Sequence, residues 1–345
     1  MKTLRYMLLA LSVITAVQCT EKDLNNTGNG GFDDYDSFWY WSYEAGMQIN
    51  AASLGIEDAA GFVPYTVAHL GDTLFVANIG GGYSLMMFGA QSGELLGTVD
   101  SWEFNGEQKN FGSPIEAIVP SGDRLYVAER QSRIHVFHLP ELSYVTCIGN
   151  GNWSGPVFQA QALAVKDSLV YARDKTGAVS IYKEADATPE NYQRVNRYRQ
   201  VSGNGSLGNN GFATHYMQFN DEGYLMLTDY ENRRVRVLDP SLVNDDLANG
   251  TSIDVDEMAM SLEFKPRTFA IGSERMYATG DNDAINIFDC ATGEWVKKLK
   301  TVKGYAFSQP MRVYAQCDTV LWVSDTHASK RTLVKVLAHK GEIRE

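Results

Sequence analysis

The stretch that decides the fold is Gly122-Asp123-Arg124-Leu125-Tyr126-Val127-Ala128-Glu129, which is followed closely by Arg133-Ile134-His135-Val136-Phe137. The first part begins with a Gly-Asp turn and continues with β-branched and aromatic residues, which are typical of a strand. The second part alternates polar and apolar residues, as a half-buried strand does. Together they predict two antiparallel strands joined by a short polar loop.

The same turn-and-strand phrase recurs five more times along the chain. Its six turns are centred on Asp72, Asp123, Asp167, Gly223, Glu274 and Asp318. Successive turns are therefore 51, 44, 56, 51 and 44 residues apart. A repeat of about 40 to 50 residues is the length of one blade of a β-propeller. The spacing thus predicts six blades.

Each copy carries the signals of further strands. A Pro precedes the turn in four copies and opens an apolar run, and the four are Pro64, Pro114, Pro266 and Pro310. Proline is tolerated at the first residue of a strand, where its missing N–H need not join the ladder. A third strand follows every copy, and an outer strand follows several, as in Gly93–Val99 and Gly293–Leu299. We therefore expect an all-β, six-bladed propeller with four-stranded antiparallel blades over residues 62–345.

Two of the copies resemble NHL-type repeats. The similarity lies in Leu125–Phe137 and in the stretch from Leu227 to Asp239, which contains Asp229-Tyr230-Glu231-Asn232-Arg233-Arg234. The resemblance implies a six-bladed NHL-like propeller. It implies little about chemistry, because propellers of this kind include binding proteins, lyases and lactonases.

Residues 1–19 have the pattern of a bacterial targeting signal. Lys2 and Arg5 precede an apolar run that is too short to span a bilayer as a helix. The run ends at Cys19 and resembles a lipobox, although Gln18 departs from the usual small residue. The resemblance implies lipidation of Cys19 and a membrane anchor, and Thr20 favours the outer membrane of the cell envelope. The alternative is an ordinary secretory signal with cleavage nearby.

Two segments separate this signal from the repeats. Residues 20–36 are rich in Asn, Gly and Asp and predict a flexible tether. Residues 37–61 begin with the aromatic run Phe38-Trp39-Tyr40-Trp41-Ser42-Tyr43. We expect this segment to pack on the propeller, and it would supply the last blade with an outer strand. The alternative is an exposed aromatic platform.

Charge and cysteine content exclude several classes of function. A formal net charge of −12 argues against nucleic-acid binding, which needs a basic surface. Three cysteines besides Cys19 do not form a disulfide framework, and none has zinc-ligand spacing. A bond between Cys290 and Cys317 is conceivable in this topology, but free buried thiols are favoured.

Candidate ligand-binding residues follow from the blade pattern. The loops between the second and third strands share one end of a propeller with the connections between blades. Residues at the ends of second strands and the beginnings of first strands are therefore expected to ring the central opening. They are Tyr65, Asn78, Glu116, Glu129, Gln161, Arg173, His215, Asp229, Arg267, Asp281, Arg312 and Asp325. The alternative is that they form turn caps and salt bridges between blades.

Aromatic residues among Gly, Asn and Ser mark the connections between blades. Those expected at the rim of the opening are Trp102, Trp153, Phe212 and Tyr305. Flat aromatic faces beside amide groups suit sugars or extended peptides. The alternative is that these rings fill gaps between blades.

The sequence offers no clear catalytic set. His135 and His138 are three residues apart on a strand and therefore point to opposite faces, which excludes a metal pair. Lactonase-type propellers hold calcium on a Glu/Asn/Asp set at the axis, and Glu116, Asn78 and Asp229 would be the counterparts here. Nothing in the spacing selects these three, and no cofactor is expected.

Three functions remain open at this stage. The first is a non-catalytic binding or scaffold module for a glycan, a peptide or a partner protein, accessory to a TonB-dependent uptake system. The second is a propeller enzyme, either a lyase or a metal-dependent lactonase or hydrolase, with its site at the central mouth. The third is a purely structural adaptor between proteins.

Overall fold

Six four-stranded antiparallel sheets form a ring in the computed structural model, as the repeat predicted. The structure describes residues 38–131, 133–149, 159–173, 179–183, 193–198, 216–238 and 260–343. Each sheet is one blade, and its first strand lies nearest the central channel. The propeller fold expected from the spacing of the turns is therefore confirmed.

The first three blades follow in chain order. Blade 1 consists of Pro64–Leu70, Thr73–Asn78, Ser84–Gly89 and Leu95–Val99. Blade 2 consists of Ile115–Ser121, Arg124–Glu129, Arg133–His138 and Ser143–Ile148. Blade 3 consists of Ala162–Lys166, Leu169–Arg173, Val179–Lys183 and Gln193–Tyr198. A hairpin of Ser101–Phe104 and Glu107–Asn110 connects blades 1 and 2.

The last three blades repeat the pattern with one change. Blade 4 consists of Met217–Phe219, Leu225–Asp229, Arg234–Leu238 and the short outer strand Met260–Ser261. Blade 5 consists of Pro266–Ile271, Arg275–Gly280, Ile285–Asp289 and Trp295–Leu299, followed by the small pair Thr301–Val302 and Tyr305–Ala306. Blade 6 has Pro310–Cys317, Val320–Asp325 and Thr332–Ile343, and takes Phe38–Ile49 as its outer strand.

Helical structure is sparse. Two 3₁₀ turns, Ala52–Leu54 and Ala59–Gly61, lie between the outer strand of blade 6 and the first strand of blade 1. Within the described ranges, no helix has the length and hydropathy needed to span a membrane.

The N-terminal aromatic segment closes the ring. Phe38–Ile49 pairs antiparallel with Thr332–Ile343, from Phe38 opposite Ile343 to Ile49 opposite Leu333. Residues 341–343 are therefore the end of the third strand and not a separate outer strand. Tyr43 is buried against Tyr277 of blade 5, whereas Tyr40 is 49% exposed. The propeller thus includes residues that precede the repeats in sequence.

The core is divided among the blade interfaces. Six apolar clusters are found in the described part of the chain, and each lies between two neighbouring blades. The cluster between blades 6 and 1, for example, joins Trp322 and Leu333 to Phe62, Leu74 and Phe88. A single blade buries neither face by itself, so the stability of each sheet depends on its neighbours.

Hydroxyl groups join the first strands to the preceding blade. Thr279 Oγ1 of blade 5 donates to the Met311 carbonyl of blade 6 over 2.9 Å, and Thr268 Oγ1 accepts from Val313 N over 3.1 Å. Ser324 Oγ of blade 6 donates to the Tyr65 carbonyl of blade 1 over 3.0 Å. These bonds satisfy backbone groups on the free edges of first strands, which would otherwise be costly to bury.

The two ends of the ring differ. At the end that we call the turn end lie the turns between first and second strands and those between third and outer strands. The opposite end, the mouth end, carries the loops between second and third strands and the connections between blades. The chain enters the described fold at Phe38 and reaches Ile343 at the turn end.

Removal of the closing strand is expected to destabilise the whole ring. A chain that begins at Ala51 leaves the apolar face of Thr332–Ile343 uncovered. We expect its Tm to fall by at least about 10 °C, since each kcal/mol moves the Tm of a large domain by about 2–4 °C. Thermal unfolding followed by circular dichroism would measure this. A chain that begins at residue 37 is the control, and an equal Tm for both chains would contradict the prediction.

Candidate functional site

The central channel holds a cavity of about 430 Å³. All six first strands contribute to its lining, including Thr66–His69 of blade 1, Glu116–Pro120 of blade 2, Ala162–Val165 of blade 3 and the Tyr216–Phe219 stretch of blade 4. Blades 5 and 6 add Ala270, Ile271, Tyr314 and Ala315. A concave site of this size, lined by both apolar and polar groups, is suited to small-molecule binding.

One imidazole in the cavity has an unused nitrogen. The Nε2 atom of His69 is buried and has no hydrogen-bond partner. The His69 ring packs against Tyr314, with the ring centroids 6.2 Å apart. Burial, together with Lys335, lowers the pKa of His69 and outweighs the opposing effect of Asp72. His69 is therefore neutral at pH 7.

Two phenols supply further hydrogen-bonding groups. Tyr216 OH donates to Gln218 Oε1 over 3.0 Å, and both residues line the cavity. Burial raises the pKa of Tyr314 to about 12, and burial also raises the pKa of Tyr216. Both hydroxyls therefore keep their protons at neutral pH. The charged residues of the lining are Asp221 and Glu116, and the Glu116 carboxylate is paired with Arg130.

Side chains from three blades meet at the mouth end of the channel. Tyr65 OH donates to Glu116 Oε2 over 3.3 Å, and Arg130 forms an ion pair with the same carboxylate. The Arg312 guanidinium lies over the Tyr65 ring at 5.1 Å, and its NH2 donates to the Glu116 carbonyl over 3.5 Å. Tyr65, Glu116 and Arg312 were expected at the opening, and the structure brings these three together. Their mutual contacts link blades 6, 1 and 2 across the channel.

Several residues at the ends of the second strands accept hydrogen bonds from backbone N–H groups. Asn78 Oδ1 accepts from Val63 N over 2.8 Å, and the Asp325 carboxylate accepts from the backbone N–H groups of Ser308 and Gln309 over 2.8 Å each. Asp281 Oδ1 accepts from Lys265 N over 2.9 Å. These side chains hold the connection that enters their own blade. These contacts are those of turn caps, which was the alternative expected for these residues.

The remaining second-strand ends and neighbouring candidates are also engaged within the protein. Asp229 is fully buried and accepts hydrogen bonds from Asn232 and Arg234 over 2.9 Å. Arg173 NH1 donates to Gln161 Oε1 over 3.4 Å, and Arg267 NH1 donates to the Gly280 carbonyl over 3.1 Å. His215 lies outside the described residues. Of the twelve mouth candidates, Glu116 lines the cavity.

The two described aromatic rim candidates are buried between blades. Trp102 stacks on Tyr144 at 5.1 Å and contacts Phe111 at 4.9 Å. Tyr305 packs against Phe307 and donates to Asp325 Oδ2 over 3.2 Å. Both rings therefore fill gaps between blades, which was the alternative expected for them. Trp153 and Phe212 lie outside the described residues.

A buried Glu–His–Cys cluster in blade 2 is a feature that the sequence reasoning missed. Glu129 Oε2 lies 2.7 Å from His135 Nε2, and Cys147 is the cross-strand neighbour of His135. Burial disfavours the imidazolium, but Cys147 and Glu129 outweigh it and raise the pKa of His135 to about 9. Burial would raise the pKa of Glu129, but His135, Arg133 and Ser113 lower it on balance. The pair is therefore a buried ion pair at neutral pH.

The Glu129 carboxylate also binds the connection that leads from blade 1 into blade 2. Glu129 Oε1 accepts from Gly112 N over 2.8 Å and from Ser113 Oγ over 3.2 Å. Trp102 and Phe111 cover the His135 ring. The cluster therefore holds the connection between blades 1 and 2. His138, by contrast, is partly exposed beside Asp123 and Glu141, so the two histidines do point to opposite faces.

No metal site is assembled in the part of the chain that the structure describes. No group of three or more His, Cys, Asp or Glu side chains is placed to hold an ion there. Asn78 and Asp229 are bonded within their own blades and not to Glu116. Cys147, Cys290 and Cys317 are free thiols. Burial and the nearby Asp318 raise the pKa of Cys290 to about 12, so this thiol is not ionised at neutral pH.

The blade 2 ion pair makes a prediction for alkaline pH. Because the native pKa of His135 is about 9 and its ordinary value is 6.5, its stabilisation is complete below pH 6.5 and is lost as pH rises through about 9. The loss is on the order of 3 kcal/mol. Urea unfolding between pH 6 and pH 9.5 would measure the decline, and His135→Gln is expected to flatten it. Equal slopes for the two proteins would contradict the assignment.

Comparison with known proteins supports the propeller fold and indicates no activity for this chain. No protein-family model and no curated protein matches the chain. A structural genomics protein of unknown function from Bacteroides thetaiotaomicron VPI-5482 is similar in structure, with a TM-score of 0.58 and 12% identity. The match covers 88% of this chain and 77% of that protein. The computationally designed Ika8 protein also matches, with a TM-score of 0.44 and 12% identity over 80% of this chain and 96% of its own.

Proposed function

We propose that the chain is a cell-envelope lipoprotein whose propeller is a non-catalytic binding module. Its ligand is a small, uncharged or cationic amphipathic molecule that enters the central channel. The observation that carries this proposal is the 430 Å³ cavity, whose lining combines apolar side chains with the polar side chains of His69, Tyr216 and Gln218. Apolar surface supplies affinity in such sites, and a few directional polar groups fix orientation.

The charge of the lining sets the class of ligand. Its charged members are acidic: Asp221 is exposed, and Glu116 is paired with Arg130. The described lining itself contains no Lys or Arg and offers an anion no cationic partner, so an uncharged or cationic ligand is favoured. His69, Tyr216 and Tyr314 offer neutral groups that suit a hydroxyl, an amine or an amide. A saccharide unit or a short peptide end with an apolar portion satisfies these requirements.

The contacts at the mouth end favour a binding role over catalysis. A lyase or a lactonase needs an acid and a base that converge on accessible space. Among the described His–carboxylate contacts, His135 and Glu129 are 3% and 0% exposed and hold a loop. The others, at His138 and His339, lie at the turn end and do not line the cavity. The enzyme alternative would gain support from turnover of a lactone or a uronate by the purified chain.

The cell-envelope part of the proposal rests on the signal pattern that ends at Cys19. Lipidation there would leave the propeller tethered to the outer membrane. A binding module at that place is suited to pass its ligand to a TonB-dependent uptake system. Intact-mass measurement of the membrane-extracted protein tests the anchor, since a chain that begins at Cys19 and carries acyl groups is expected. Co-purification with a transporter tests the partner.

A channel-filling substitution tests the binding site. Val119 lines the cavity and is partly buried, so Val119→Trp is expected to occupy the ligand's space. Small molecules that are neutral, cationic or anionic would be screened by thermal shift. We expect neutral or cationic compounds to raise the Tm of the native chain and to lose that effect with Val119→Trp.

The matched control is Val145→Trp, which adds the same ring at a position that is 36% exposed on the outer strand of blade 2. It should keep the response to ligand.

His69→Leu should weaken binding by about five- to tenfold, as the loss of one neutral hydrogen bond does. Hits that survive Val119→Trp, or a preference for anions, would refute the channel as the site.

A further inference from the structure

Among the side chains that the structure describes, which do not include the outer strands of blades 3 and 4, exposed apolar residues lie mainly on one sector of the propeller. Seven large hydrophobic side chains are exposed in the described residues. Five of them lie on the outer strands of three consecutive blades, namely Trp295 and Val296 on blade 5, Tyr40 on blade 6, and Leu95 and Leu96 on blade 1. Leu70 belongs to the first strand of blade 1, and Val145 is the exception on blade 2. An apolar concentration of this kind marks an interaction surface.

The topology places this sector at the turn end. Leu95 and Trp295 are the first residues of their outer strands, directly after the turn from the third strand. Tyr40 lies opposite Gly341 on the third strand of blade 6. Gly341 lies beyond Ala338, whose N–H donates to the Thr319 carbonyl in the turn before the second strand. Trp41 borders the same region, because Lys297 of blade 5 donates to its carbonyl. Tyr40, Leu95, Leu96, Trp295 and Val296 are called the rim surface below.

Lysines lie beside the rim surface. Lys298, Lys303 and Lys340 are exposed on blade 5, on the hairpin after it and on blade 6. Lys303 is paired with Glu44, and Lys340 is paired with Glu274. Acidic residues are exposed on the turns of blades 1 to 5, so the sign of the turn charges does not distinguish this sector. An aromatic and aliphatic surface with long lysines beside it is suited to a lipid interface, where lysine stems extend towards the headgroups.

The start of the described fold lies in the same sector. Phe38 opens the outer strand of blade 6 at the turn end. Residues 20–37 separate it from Cys19, a stretch that spans at most about 60 Å when fully extended. A lipid on Cys19 would therefore keep the turn end of blade 6 near the bilayer. At the high local concentration that a tether provides, even a weak apolar contact becomes well populated.

We propose that the rim surface rests on the lipid bilayer in which Cys19 is anchored. The inference builds on the proposed lipoprotein and adds an orientation to it. Blades 5, 6 and 1 face the membrane with Trp295 at the level of the headgroups, and the turns of blades 2 to 4 point away from it. The mouth end then faces the surrounding aqueous compartment.

Tryptophan quenching by brominated lipids tests this orientation. The chain from residue 20 contains every described strand and would be tethered through an N-terminal His tag to vesicles of phosphatidylethanolamine and phosphatidylglycerol. Because the tag replaces the natural lipid, the result does not depend on lipidation of Cys19. We expect the emission to be quenched and blue-shifted on the vesicles, and Trp295→Phe to lose part of that quenching, since Trp39 and Trp41 lie at the same end of blade 6.

A relocated tryptophan is the matched control. Ala328 is exposed in the loop between the second and third strands of blade 6, at the mouth end. The tryptophan added by Ala328→Trp in the Trp295→Phe background is expected to show no quenching by the brominated lipids. Equal quenching of the native chain and Trp295→Phe, or quenching of the relocated ring, would overturn the orientation. The mass of the membrane-extracted protein separately decides the anchor, so failure of the anchor and failure of the surface are distinguishable.

Discussion

The fold depends on burying both faces of six small sheets. A four-stranded sheet has two apolar faces, and in this chain each face packs on the next blade. Such a ring is stable only when it is closed, since an open ring would leave the outer faces of two blades in water. Closure is achieved by pairing the first and last described strands within blade 6, along the whole of Phe38–Ile49. The apolar clusters on either side of blade 6 depend on that pairing.

Much of this could be predicted from the sequence, because turns and strands are local features. The Gly and Asp residues at the turns and the β-branched residues after them gave the number and order of the blades. Pro64, Pro266 and Pro310 are the first residues of their strands in the structure, as the missing N–H requires. The short outer strand of blade 4 was not predicted, since two residues carry no periodic pattern.

The candidate site was harder to predict, because its groups come from different blades. His69 and Tyr314 are far apart in sequence, and neither residue has a pattern that distinguishes it from other strand residues. The mouth candidates were chosen by position alone, and position does not show that Asp325 binds two backbone N–H groups. The Glu129–His135–Cys147 cluster depends on the register of three strands, which the spacing in sequence does not fix. Burial and pairing therefore need the three-dimensional structure.

The position of the closing strand also has a consequence for biosynthesis. Among the described strands, Phe38–Ile49 is synthesised first and its partner, Thr332–Ile343, last. The nascent domain therefore holds an aromatic strand without its partner until all the other described strands have been made. Contacts between such distant residues are slow to form. The ring therefore cannot close before the chain has been made through Ile343.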